Sequence, residues 1–116
     1  MPEHTTDDWQ RTWHHLQRAL GNKWSFHVLH VLARDEHTFG GLEDEIDGIS
    51  ATVLARRLDR LRETGFVEKR IVATTPPRSY YRLTDLGRRV ATFLEEMETT
   101  TAVTETPDGE QLVFHG

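Results

Sequence analysis

Between Ser50 and Arg89 the chain carries ten cationic side chains, Arg56, Arg57, Arg60, Arg62, Lys69, Arg70, Arg78, Arg82, Arg88 and Arg89, against four acids, Asp59, Glu63, Glu68 and Asp85. That stretch is +6 in a chain of net charge −5, so the remainder is −11. A guanidinium group donates in a planar fork that fits phosphate oxygens and the O6/N7 edge of guanine. A basic block inside an acidic chain is the footprint of an anionic partner meeting one face. The chemistry on offer is therefore recognition.

Bond-making has no comparable signature. There is no glycine-rich phosphate loop, nucleophile elbow or HExxH pair, and the Ser, His and Asp residues fall into no triad. Seven histidines raise the question of a metal. His27 and His30 stand one helical turn apart, and His14 and His15 lie on the first helix, but no carboxylate or cysteine sits beside them at ligand spacing, and His27 falls toward the packed side of its helix. The acidic run Glu43, Asp44, Glu45 and Asp47 suits a solvated face better than a cation site. No metal and no cofactor are expected. Cysteine is absent, which removes disulfides, thiolate ligands and thiol redox switching together.

The frame that must position these side chains is legible in the periodicity. Trp9, Trp13, Leu16 and Leu20 predict a helix from about Asp7 to Leu20, ended by Gly21-Asn22. Lys23 to Arg34 is apolar over most of its circumference, as in a central helix packed on several sides. After the polar turn Asp35 to Thr38, a short helix from Phe39 to Ile46 offers Leu42 and Ile46 inward. Asp47-Gly48 turns the chain, and Ser50 caps a helix running to Thr64, with Leu54, Leu58 and Leu61 inward and Gly65 as its stop. Phe66–Ala73 and Ser79–Leu83 read as strands around a Pro76-Pro77 tip that cannot continue either ladder. Thr84 caps a last helix to about Glu98, with Leu86, Val90, Phe93, Leu94 and Met97 as its stripe. Residues 99–116 lose this period; Pro107-Asp108-Gly109 allows a weak hairpin, and a frayed tail is the expectation. The fold class is mainly α with a small β-hairpin wing, a winged helix-turn-helix.

These residues resemble a known family. Lys23-Trp24 opening the central helix, Phe39 before Leu42, Gly48-Ile49-Ser50 leading into Val53-Leu54, Arg57-Leu58 before Leu61 and Gly65-Phe66-Val67 are similar to the HxlR regulators. So are Pro76-Pro77-Arg78 and the run Tyr81-Arg82-Leu83-Thr84 followed by Leu86-Gly87. The resemblance covers about Lys23 to Met97. It implies a homodimer that binds an operator and controls nearby genes. Two departures stand out. The cysteine some members place just ahead of the central helix is missing, where this chain reads Ala19-Leu20-Gly21-Asn22, and the short helix opens on Gly40-Gly41 instead of a small polar cap.

With Leu54, Leu58 and Leu61 inward, 100° per residue points Thr52, Arg56, Asp59 and Glu63 outward. The expected double-stranded DNA surface is Ser50, Ala51, Thr52, Ala55, Arg56, Arg57 and Arg60 on this helix, with Lys69, Arg70, Arg78 and Arg82 on the wing. Arg56 could fork onto guanine, the alanines keep the approach close, and Arg57 suits a phosphate. The bland alternative is a solvated face laced by pairs at three- and four-residue spacing; the turn before the helix and the wing after it favour DNA.

Three segments follow: an N-terminal dimerisation helix over 1–22, the DNA-binding domain with its closing helix over 23–98, and a tail over 99–116. Trp9, Trp13, Leu16 and Leu20, beside Val90, Phe93 and Met97, are expected to bury against a second copy. The polar start and the lack of a bilayer-length apolar run place the chain in the cytoplasm, away from membranes. The rival reading is a winged-helix module that binds protein and never reads DNA. A small-molecule effector near Trp24 and Phe26 is a weaker third. An acidic surface with only two lysines, Lys23 and Lys69, fits adaptation to high salt, and a GC-rich genome would favour arginine in the same way.

Overall fold

A computed structural model describes residues 6–116; the first five residues of the 1–22 segment lie outside it. The order is α1 (Thr6–Leu20), α2 (Lys23–Leu32), α3 (Phe39–Glu45), α4 (Ala51–Glu63), β1 (Val67–Val72), β2 (Arg78–Leu83), α5 (Asp85–Thr99), β3 (Thr101–Thr106) and β4 (Gly109–Phe114). Each helix from α2 on starts at a polar cap. Asn22 accepts from Trp24 N, Thr38 from Gly41 N, Ser50 from Val53 N and Thr84 from Gly87 N, each pairing a backbone donor the first turn would leave unmet. The short helix thus keeps a polar cap despite Gly40-Gly41, because Thr38 supplies it one residue before the helix begins.

The core is where α2, α3, α4 and the wing base meet. Val28, Leu29, Leu42, Leu54, Leu58 and Leu61 are fully buried, joined by Ala19, Ile46, Phe66, Val67, Leu83 and Ala91. Truncating any of these leucines to alanine removes about 2–5 kcal/mol. Ser25 is the buried polar side chain among the described residues, and its Oγ donates to the Ala19 carbonyl at 2.6 Å. That bond ties the last turn of α1 to α2.

Three expectations are corrected. His27 faces solvent, with Nδ1 2.7 Å from the Lys23 carbonyl, because Ser25, Val28 and Leu29 take the packed side of α2 and leave Phe26 outside as well. Leu86 is likewise exposed, since α5 packs through Gly87, Ala91 and Leu94. The tail does not fray over 101–114. β3 and β4 pair antiparallel from Thr101↔Phe114 to Thr106↔Gly109, around a turn in which Gly109 has φ +122°.

The wing is an antiparallel pair running from Val67↔Leu83 to Val72↔Arg78. A single residue of the α2–α3 connection extends it: His37 N donates to Tyr81 O at 3.0 Å, and Tyr81 N to His37 O at 2.8 Å. At the base, α5 crosses the chain so closely that a Cβ on Gly87 would lie 2.0 Å from the Phe66 carbonyl oxygen. Gly65, at φ +86°, stops α4 and turns the chain into β1.

Candidate nucleic-acid interface

α4 presents the face its periodicity predicts. Ser50, Ala51, Thr52, Ala55, Arg56 and Asp59 are exposed, while Arg57 and Arg60 are half-buried at the packing boundary. Ser50 Oγ accepts from Val53 N at 3.2 Å, so its proton is left for an outside acceptor. Among the described residues, Arg56 and Arg57 have no ion-pair partner, whereas Arg60 Nη1 lies 3.6 Å from Glu63 Oε2. The end of α4 is thus a solvated pair and its start an open donor surface. The two alanines beside Thr52 and Arg56 leave nothing taller to hold a base edge away.

The four wing cations divide in two. Arg78, where β2 leaves the tip, is exposed and has no ion-pair partner among the described residues; Thr74 Oγ1 donates to the Pro76 carbonyl at 2.7 Å and braces the tip beside it. Lys69 is exposed on the other face of the hairpin, with Nζ 5.8 Å from the Tyr81 ring. Arg70 and Arg82 meet acids instead. Arg70 donates to Glu36 through Nη2 at 2.5 Å and Nε at 3.3 Å, and lies 5.2 Å above the Tyr80 ring. The Glu36 hydrogen bond and its charge hold the Arg70 pKa above the usual guanidinium value. Arg82 Nε donates to Glu68 at 2.6 Å, directly across the strands.

Glu36 escapes a reading of the sequence because it lies 34 residues from Arg70, and the His37–Tyr81 bridge of the folded chain helps bring the two together. The nearest hint is that Glu36 sits in the connection a winged helix must lay against its hairpin. Arg88 pairs with Asp85 at 2.5 Å within α5. Among the described residues no three His, Asp or Glu side chains gather as a metal site.

The residues expected to face a second copy are split. Leu16, Leu20 and Val90 are half-buried against the core, while Trp9, Trp13, Phe93 and Met97 are exposed. Trp9 and Trp13 stack edge to face with centroids 5.6 Å apart.

Comparison with known proteins agrees with this arrangement. The HxlR-like helix-turn-helix family model matches residues 19–107. An uncharacterized HTH-type transcriptional regulator of Synechocystis sp. is 35% identical over 72% of this chain and 62% of its own length. The HTH-type transcriptional regulator YodB of Bacillus subtilis is 32% identical over 68% of this chain and 70% of its own. Against the first of these the chain spans less than two thirds of the relative's length. Among solved structures, a protein described as a MarR-family transcriptional regulator from Enterococcus faecalis superposes with a TM-score of 0.71 at 26% identity, over 84% of this chain and 89% of that one. Diamide-treated YodB superposes with a TM-score of 0.67 at 26% identity, over 84% and 92%.

Proposed function

The chain belongs to the HxlR-like helix-turn-helix family, and from that premise we propose that it is a homodimeric transcription regulator that reads an operator with α4. In this reading Thr52 and Arg56 face base edges in the major groove, Ser50, Arg57 and Arg60 hold the adjoining backbone, and Arg78 reaches the neighbouring phosphates or minor groove. The carrying observation is Arg56, exposed and without an ion-pair partner among the described residues, in the second turn of a capped helix that sets only Ala51 and Ala55 beside Thr52 and Arg56 on its N-terminal side. Arg70 and Arg82 contribute little net charge to DNA, because each already meets a carboxylate. A cysteine-free chain leaves this regulator no thiol to sense oxidants.

Dimerisation follows from scale. One short helix and one wing make too few contacts for tight specific binding against a genome of competing sites. The exposed Trp9, Trp13, Phe93 and Met97 offer the seam, with Leu16, Leu20 and Val90 at its edge, and a two-fold pair would place half-sites about one helical turn apart or a multiple of it. Arg56→Ala is the direct test. Loss of about 1–3 kcal/mol of discrimination between operator and random duplex is expected. Equal losses on both would assign Arg56 to the backbone. If the parent chain shows no salt-dependent binding to any duplex, the protein-binding module is the correct reading.

A further inference from the structure

The terminal hairpin has an uncovered apolar face. In its register Thr101↔Phe114, Val103↔Leu112 and Glu105↔Glu110 share one side, and Ala102↔Val113 and Thr104↔Gln111 the other. On the second side Ala102 and Thr104 are half-covered where β3 packs along α5. On the first side Val103 is 61% exposed, Leu112 73% and Phe114 83%. Both edges of the pair lack a further strand among the described residues, and a two-stranded ribbon alone is marginal in water. β4 also lies beyond residue 107, where the family match ends.

We infer that this hairpin is a dimerisation arm, whose Val103–Leu112–Phe114 face lies on the Trp9–Trp13 stripe of a second copy. The inference rests on the dimer proposed above and adds to it a surface the α1 and α5 stripes do not contain. Within one copy the two surfaces do not cover each other, since Trp13 remains 65% exposed and Phe114 83%. The chain is correspondingly drawn out, with a radius of gyration of 16.6 Å, against roughly 13 Å for a compact chain of this length.

Area and charge select a second copy as the occupant. The exposed parts of Trp9, Trp13, Leu86, Phe93 and Met97 offer roughly 600 Å² per copy, short of the ~800 Å² per partner of a standard interface. The hairpin face adds roughly 400 Å² and brings the total past that size. Nucleic acid and anionic lipid are poor occupants, because Glu105, Asp108 and Glu110 crowd the hairpin tip. The apolar complement that this structure itself displays is the stacked tryptophan pair of α1.

The test is sedimentation equilibrium and tryptophan emission of the full chain carrying Leu112→Thr and Phe114→Thr, substitutions that keep strand propensity and alter no intramolecular contact of the core. Val103→Thr serves as a milder second variant, and Gln111→Ala marks the opposite face. The paired variant should raise the dimer dissociation constant about ten- to hundredfold, and its emission should shift to the red at concentrations where the parent is dimeric. Val103→Thr should do the same more weakly, and Gln111→Ala should do neither. Dissociation constants within twofold of the parent for both hairpin variants overturn the arm. Trp13→Glu separates the two readings: if it dissociates the dimer while the hairpin variants do not, the arm alone fails. If Trp13→Glu also leaves the dimer intact, the α1 seam of the proposed function fails with it.

Discussion

The molecule contains two hairpins of the same size, each built from two six-residue strands, and they have opposite characters. The wing from Val67 to Leu83 has four cations and one acid; the terminal hairpin from Thr101 to Phe114 has three acids and no cation. The wing is anchored at its base by buried Val67 and Leu83, by the His37–Tyr81 bridge and by Arg70 on Glu36. The terminal hairpin leans on α5 through β3, and every residue of β4 is exposed. Strand pairing is common to both. What each can do depends on which side chains it presents and how firmly its base is held: a pinned, cationic finger suits a rigid polyanion, and an apolar, acidic flap suits another protein surface.

The largest expected effect is on the wing's anchorage. Gly87→Ala puts a methyl group against the Phe66 carbonyl, so α5 must shift away from the start of β1. A loss of about 2–3 kcal/mol, or roughly 10 °C in Tm, is expected in thermal unfolding. Gln111→Ala on strand β4 of the terminal hairpin, where every residue is exposed, should leave Tm almost unchanged. A Tm for Gly87→Ala within about two degrees of the parent would erase the difference in anchorage between the hairpins.

Charge comes next. Arg78→Ala should weaken binding to specific and random duplexes alike, and make the slope of log affinity against log salt shallower by about 0.9. The pair Glu36→Gln with Arg70→Gln should leave that slope in place, since it removes a cation together with the acid that meets it. A slope change as large as that of Arg78→Ala would return Arg70 to the DNA surface. The smallest effect belongs to the terminal hairpin: Glu105→Gln with Glu110→Gln should move neither slope nor specificity. If the slope steepened instead, that acidic tip would lie within a Debye length of the phosphates, and the division of labour would break down.

How much of this the sequence carries depends on distance along the chain. Helix starts are local: Ser50 and Thr84 each cap from within three residues, and the Leu54, Leu58, Leu61 stripe points Arg56 outward with no tertiary knowledge. The wing follows from β-branched and aromatic runs around Pro76-Pro77. Partners of the wing arginines are another matter, because pairing Arg70 with Glu36 needs a fold to bring them together. The terminal hairpin is hard to read for a different reason. Its alternation is diluted by Thr101, Thr104 and Thr106, so neither face announces an apolar side until the register sets Val103 beside Leu112. On α1 the tryptophans are visible as a stripe, but their exposure is not, since the stripe also holds Leu16 and Leu20, which do reach the core.

The reciprocal bond pair between His37 and Tyr81 gives the wing two clocks. Amide protons at these positions are held by an element continuous with the buried end of α2, so their exchange with deuterium should wait for an opening of the whole core. At the tip Pro76 and Pro77 carry no amide proton and Thr74 N bonds only locally, to the Val72 carbonyl, so the amides of Ala73, Thr74 and Thr75 should exchange in their own, much faster regime. In the proposed complex, a finger that is stiff at the knuckle and quick at the nail would follow phosphates whose spacing varies from one DNA sequence to another, while α4 keeps its angle to the groove.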